Sequence, residues 1–526
     1  MGRNTGELSP RSLLLVAAGV HTLAEPLESA QPAAVRALVV DGDRIAWVGP
    51  VSESPPTEQV VDLGGAWVTP AFVDAHVHAT ATGLALTGVD LAGAASAAQC
   101  LDRLMSHAAT RSNPVLIGTG WDDFGWPEQR PPRAAQLAQA ALGRTVLLVR
   151  VDGHSCLVDP GTLARLPLPE LEGVDRDADG TPTGLLRESA SEAAQTLVRG
   201  LLPPAQLAAA RRAACERAAA LGIGSLHEMG HPGLSGLDDA ITWATGRWPV
   251  EVVTWWAELD PDRWRACLSP DDHGLRPGGD LFLDGSIGTG TAAMTSPYRC
   301  GDRLTCGELF HPDQAVTEFF VTCTQAGRGA GVHAIGDRAI EQALRVLEAT
   351  ARLAGLDAVR ACRHRIEHVE LPSADQIRRM GRLGVVASVQ PAFDAAWGGS
   401  DGLYAARFGP DAARDSNPFI WFARAGVRLA FGSDSTVTPL DPWGAVVAAE
   451  RHRGGWGLDR RAALIAHTLG GRYVAGQDHV GPLRPGARAD LAVWSSDPLA
   501  VDDPRSLRCL ATVTCGEVVH GDLGSP

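Results

Sequence analysis

The stretch WVTPAFVDAHVH, residues 67–78, decides how this chain is read. It is a largely apolar run that closes on two histidines two residues apart. A run of this texture reads as a strand buried on both faces, the pattern of a parallel sheet. Successive side chains of a strand point to opposite faces, so His76 and His78 project to the same side. Seven further runs share the texture: GIGSLHEM (222–229), VEVVTWWA (250–257), LFLDGSIG (281–288), GVHAIGD (331–337), RIEHVE (365–370), VVASVQP (385–391) and RLAFGSD (428–434). Helical stretches such as 313–327 and 337–354 separate them. Eight alternating βα units predict an α/β fold built on a closed (β/α)8 TIM-like barrel.

Outward from that core, residues 85–215 form a long insertion after the first barrel strand, with strand candidates of its own in VLIGTGWDDF (115–124) and TVLLVRVDGHS (145–155). An insertion there is expected to lie over the barrel mouth as a lid. Both chain ends return to short β-rich runs: ALVVDGDRIAWVG (37–49) before the barrel, PLRPGARADLAVWSSDP (482–498) and ATVTCGEVVHGD (511–522) after it. The simplest arrangement is a small β-sandwich made from residues 1–65 and 480–526, with the barrel over 66–479. The apolar stretch 13–20 has few charges before it and no clear cleavage site, so it reads as a strand rather than a signal segment.

Composition narrows the function. The formal net charge is −15, which argues against nucleic acid as a partner, since phosphate binding needs clustered positive charge. No apolar run approaches the ~18 residues of a membrane span. The cysteines are scattered without a C-x-x-C pair, a usage that suits a cytoplasmic protein. All 46 basic residues are arginine. A chain without lysine has no Schiff-base lysine, no P-loop lysine and no carbamylated lysine to bridge metals.

Further polar residues fall at strand ends. His333 and His368 lie 35 residues apart, one βα unit, and so on neighbouring strands. Asp434 ends the eighth strand, next to the first in a closed barrel. Imidazoles and a carboxylate converging on one rim suit a divalent metal, Zn²⁺ first among them, and a buried histidine cluster without a metal is poorly satisfied.

At these residues the chain resembles the amidohydrolase superfamily. VDAHVH (73–78), HAIGD (333–337), RIEH (365–368) and FGSDS (431–435) are similar to its metal motifs, in the expected order. The nearer resemblance, to the YtcJ-like or N-substituted-formamide-deformylase-like branch, rests on GWDDFGWPEQRPPR (120–133), RVDGHS (150–155), GTPTGLLRES (180–189), DGSIGTGTA (284–292) and SDSTVTPLDPWGA (433–445). The resemblance implies one or two divalent metal ions and hydrolysis of a non-peptide carbon–nitrogen bond in a small molecule, of amide, N-acyl or cyclic-ureide type. It also leads one to expect a homodimer.

One position departs from the pattern. Many relatives place a lysine just before the segment matching LFLDG, and its carbamate bridges two metals; here that position is Asp280. Either Asp280 or Glu188 supplies a carboxylate bridge, or the site holds one metal; Asp280 could equally terminate a Gly-Gly-Asp turn. A metal-bound water has a pKa near ~7, and Asp434 is the candidate to take its proton and deliver it to the leaving nitrogen. His154 is a candidate for binding the carbonyl oxygen or oxyanion. Trp121, Asp122, Trp126, Phe393 and Trp397 are candidates for a substrate wall, or for packing the insertion onto the barrel. Asp284 and Asp337 follow strands and are candidate partners of the ligands. Two rival readings stand beside this one: a single-metal aminohydrolase acting on an aminated heterocycle, and a non-catalytic scaffold of the same fold. The first lacks the expected acid, because His333 is followed by Ala-Ile-Gly-Asp; loss of ligands would favour the second, and all five are present.

Overall fold

The computed structural model describes residues 12–24, 35–128, 130–151, 153–233, 235–264 and 274–524; residues 1–11 and 25–34 of the expected N-terminal segment lie outside them. The chain divides into two compact units, Met1–His78 with Cys215–Pro526, and Ala79–Ala214.

Among the strands of the first unit, eight short ones pair in parallel to make its centre, in chain order β1 (Phe72–Val77), β2 (Ile223–Gly230), β3 (Glu251–Trp256), β4 (Arg276–Pro277), β5 (Gly331–Ala334), β6 (Arg365–His368), β7 (Val386–Val389) and β8 (Leu429–Phe431). They form two four-stranded parallel sheets, β4-β3-β2-β1 and β5-β6-β7-β8. Every residue of β1, β2 and β5–β8 is buried, which explains their near-continuous apolar runs. Past β4, Phe282 forms a parallel bridge to His333, and the His333 amide donates to Leu281 O at 2.9 Å. Past β8, the Asp434 amide donates to His76 O at 2.8 Å and the His78 amide to Ser435 O at 3.0 Å.

Two expected strands differ from the structure. The segment 67–78 is two strands, because Trp67–Pro70 pairs antiparallel with Leu491–Trp494 and the chain changes sheets at Ala71. Two partners with different backbones cannot be read from one continuous apolar run. LFLDGSIG contributes only the Phe282 bridge, and the short strand of this unit lies earlier, at β4. Gly278 and Gly279, at φ 76° and 82°, break the ladder between them.

Helices link the parallel strands as the periodicity predicts. Asp337–Ala354 buries Ile340, Leu344 and Leu347 along one face and stops at Gly355, whose φ is 95°. Ala374–Leu383 starts on a Ser373/Gln376 capping box and ends at Gly384 in the left-handed region.

Both chain ends supply two further sheets. One orders Arg44–Gly49, Ala37–Asp41, Leu13–Val16 and Gln59–Asp62; the other orders Gly19–Val20, Trp67–Pro70, Leu491–Trp494, Cys509–Thr514 and Glu517–Gly521. Leu15, Leu38, Ile45, Val68, Leu491 and Val513 belong to one hydrophobic cluster shared by these segments.

The second unit has a six-stranded sheet, ordered Val174–Arg176, Pro182–Arg187, Ser155–Val158, Thr145–Arg150, Val115–Trp121 and Val89–Asp90. The two strand candidates of the insertion thus appear as the parallel pair Val115–Trp121 and Thr145–Arg150. Every cysteine among the described residues is a free thiol. Among those residues no helix is long and apolar enough to cross a membrane.

Candidate metal centre

Parallel strands bring their C-terminal ends to one edge, and the chemistry of the first unit collects there. His76 and His78 close β1, His333 lies in β5 and His368 ends β6. Asp280 and Asp434 follow β4 and β8. His368 and Asp434 have φ of 69° and 51°, a left-handed backbone that non-glycine residues adopt at a cost of ~1 kcal/mol or more. Such outliers cluster where a side chain must be aimed.

Each of the four imidazoles has one ring nitrogen against an acceptor outside the cluster. His76 Nδ1 lies 2.9 Å from Glu367 Oε2, and His78 Nδ1 lies 3.2 Å from Met229 O. His368 Nδ1 lies 2.8 Å from Gln390 Oε1, and His333 Nε2 lies 3.4 Å from Gly285 O. An acceptor at one nitrogen fixes the proton there and leaves a lone pair on the other. Those other nitrogens face two carboxylates. Asp280 Oδ2 is 3.9 Å from His76 Nε2 and 3.6 Å from His78 Nε2, while Oδ1 is 3.1 Å from His333 Nδ1 and 3.4 Å from His368 Nε2. Asp434 Oδ1 is 3.5 Å from His76 Nε2 and 3.3 Å from His78 Nε2. Two overlapping groups have the spacing to hold an ion, His76/His78/Asp434 and His76/Asp280/His368.

The donor set fits a metal by its unmet needs. His76 Nε2 and Asp434 Oδ1 are buried and make no hydrogen bond, although an isolated buried polar atom is costly. Charge points the same way. Burial opposes a proton on His78, but Asp434 and Asp280 override it and raise its pKa to about 9. Burial would raise the Asp280 carboxyl, yet His76, His333 and His368 hold it well below the usual range. The pocket is built for positive charge.

Asp284 accepts the Ile335, Gly336 and Ala293 amides at 3.0, 2.9 and 2.8 Å and lies 3.6 Å from His333 Nε2. Asp337 accepts the Thr295 amide at 2.7 Å. Phe393 stacks on His368 with ring centroids 6.0 Å apart, and Trp397 packs on Phe393. Sequence reasoning missed Glu367 and Gln390. The signal for Glu367 was available: Arg365 and Glu367 are opposite charges two apart, on one face of a strand that the parallel pattern predicts to be buried.

The remaining candidates belong to the second unit. His154 Nδ1 lies 3.5 Å from Glu188 Oε2, and the Glu188 amide donates to His154 O at 2.9 Å. The Glu188 side chain is 73% exposed. Trp121 is buried, its indole N–H donates to Leu148 O at 2.9 Å, and the Arg150 guanidinium lies over its ring. Arg150 also pairs with Asp122. Trp126 donates to Ala94 O at 2.7 Å in the same core cluster as Trp121, a packing position for both indoles.

The amidohydrolase family matches residues 59–520 of this chain. The putative amidohydrolase YtcJ of Bacillus subtilis is 28% identical over 508 residues, covering 89% of this chain and 91% of that protein. The N-substituted formamide deformylase of Arthrobacter pascens is 25% identical over 569 residues, covering 98% and 99%. Among solved structures, an uncharacterized metal-dependent hydrolase from Pyrococcus furiosus is similar with a TM-score of 0.77 and 27% identity, covering 93% of this chain and 100% of that one.

Proposed function

Because the chain belongs to the amidohydrolase family, we propose that it is a metal-dependent hydrolase of a non-peptide carbon–nitrogen bond in a small molecule, of amide, N-acyl or cyclic-ureide type. In this reading the eight parallel strands form one (β/α)8 barrel, and the two sheets from the chain ends form a β-sandwich beside it. One observation carries the reading: the hydrogen-bond accounting of the four histidines, each with one nitrogen against an acceptor and the other turned to buried carboxylate.

The residues that would hold the metal are His76, His78, His333, His368, Asp280 and Asp434. A Zn²⁺ ion held there would lower the pKa of water to ~7 and polarise a carbonyl. Asp434 accepts a proton at its carboxylate and returns it to the leaving nitrogen, which must depart as a neutral amine. Glu367, Gln390, Met229 O and Gly285 O hold the imidazoles so that the geometry is set before substrate arrives. Phe393, stacked on His368, offers one apolar wall against which a substrate is aligned.

Asp280 turns Oδ2 to His76 and His78 and Oδ1 to His333 and His368. If two ions are held, Asp280 so divided would be the carboxylate that serves both histidine pairs. The test is metal quantification of purified protein, combined with a panel of formamides, N-acyl amines and cyclic ureides. About two ions per chain, falling toward one in Asp280→Ala, supports the shared carboxylate. A chain that binds no divalent metal, or one whose activity survives complete metal removal, overturns the reading.

A further inference from the structure

The four histidines differ in what holds them. Three have neutral hydrogen-bond acceptors, the Met229 and Gly285 carbonyls and the Gln390 amide, with Asp284 standing 3.6 Å off His333 Nε2; His76 is hydrogen-bonded to a carboxylate, Glu367, at 2.9 Å. Glu367 is completely buried, and so is its partner Arg365. Residues two apart on a strand share a face, which is why the pair forms within β6. Arg365 Nη2 donates to Glu367 Oε2 at 2.8 Å, and Arg365 Nε pairs with Oε1. The same guanidinium donates to Ala75 O at 2.6 Å, the residue before His76, to Ser388 Oγ at 2.5 Å on β7, and to His227 Nδ1 at 3.2 Å on β2.

Stability does not explain this arrangement. Desolvating an ion pair is expensive, and replacing a buried pair by apolar groups is often neutral or stabilising. What the pair does supply is a fixed negative charge on the protonated nitrogen of one ligand. A carboxylate accepting from Nδ1–H locks the ring and its tautomer and makes the opposite nitrogen a stronger donor. That opposite nitrogen, His76 Nε2, is buried and makes no hydrogen bond.

We propose that Glu367, held in place by Arg365, is a positioning residue that makes His76 the anchoring ligand of the metal centre. The proposal rests on the metal-dependent reading above. Arg365 has a double part in it, since it also holds the backbone carbonyl that leads into His76.

Zn²⁺ titration of the full-length apoprotein against a competing chelator tests it, with a urea midpoint measured on the same metal-free samples. Glu367→Gln should lower Zn²⁺ affinity about 10- to 100-fold. That variant strands the Arg365 charge and loses stability as well, so the decisive protein is the double variant Arg365→Met/Glu367→Gln. It removes both charges but keeps an amide oxygen for His76 Nδ1–H. Its urea midpoint should return to wild type while its Zn²⁺ affinity stays at least about tenfold lower. A double variant that recovers stability and wild-type affinity together overturns the proposal, because the pair then serves only the fold. Failure of both variants to fold overturns it for the same reason. Wild-type protein that takes up no Zn²⁺ overturns the metal-dependent reading with it.

Discussion

Gly432, the residue after β8, lies hard against His76 of β1, and replacing it by alanine should disable the centre. A Cβ built on Gly432 would fall 2.5 Å from the His76 nitrogen, 2.8 Å from its Cβ and 2.9 Å from its oxygen. Comfortable contact needs roughly 3.5 Å, so the two segments must separate by about 0.5–1 Å. They cannot do so freely, because the Asp434 amide is bonded to His76 O at 2.8 Å and the Ser433 amide to Asp74 Oδ1 at 2.9 Å. Overpacking of this kind costs about 1–3 kcal/mol. The functional cost is larger: Asp434 sits 3.3 Å from His78 Nε2 and 3.5 Å from His76 Nε2, and metal–ligand distances tolerate only about 0.2 Å. Zn²⁺ affinity should therefore fall by on the order of tenfold or more, and turnover by about 10². The assay is a urea midpoint on metal-free protein, a Zn²⁺ titration and steady-state kinetics. Gly65→Ala is the control, since a Cβ there meets nothing within 4 Å. Gly432→Ala matching that control in both stability and Zn²⁺ affinity would refute the close-approach argument.

Asp434→Asn keeps the side-chain size but removes the base, so kcat should fall by about 10² or more; wild-type turnover, read beside zinc per chain, would remove Asp434 from the chemistry. The Glu251 network gives a pH signature. Burial would raise the Glu251 carboxyl, but Arg472 and Arg488 override it and hold its pKa at about 2. Against an unfolded value near 4.5, that is worth about 3 kcal/mol at neutral pH. Its folded pKa lies below its unfolded one, so the contribution is complete above about pH 5 and drains away as pH falls toward 2. The stability gap between wild type and Glu251→Gln should shrink by roughly half or more between pH 7 and pH 3, read from urea midpoints; a gap independent of pH would show that the network acts by packing alone.

Much of the candidate site is legible in the sequence because its information is local. A His-x-His at the end of a buried run, single histidines one βα unit apart and an aspartate after the last strand each follow from strand geometry and parallel order. What is not legible is set by partners distant in sequence. His76 and Glu367 are 291 residues apart, and His333 and Gly285 are 48 apart, so no periodicity records which acceptor fixes which ring. The break at Ala71 is hidden for a related reason. Trp67–Pro70 and Phe72–Val77 are both apolar, but one answers to Leu491–Trp494 and the other to Ile223–Gly230. Trp121 shows the opposite limit, since an aromatic beside a motif reads as a substrate wall or as packing, and it is the buried indole and its bond to Leu148 O that show the packing.

The position of Asp280 joins the backbone to the chemistry. An aspartate has one methylene where a carbamylated lysine has four and a carbamate beyond them, so side-chain reach alone argues against a carboxylate shared among four histidines. The backbone makes up the difference. Gly278 and Gly279 hold positive φ, and a Cβ on Gly278 would lie 2.0 Å from Gly331 O, while one on Gly279 would lie 2.6 Å from Trp255 Cβ and 2.9 Å from Met229 Sδ. Two residues without side chains thus let the main chain itself pass between β3 and β5, carrying the Asp280 Cα inward. Its carboxylate then needs no length, and Oδ1 comes within 3.1 Å of His333 Nδ1. The turn residues that break the expected strand and the short acid that follows them are parts of one solution, in which main-chain approach stands in for side-chain reach.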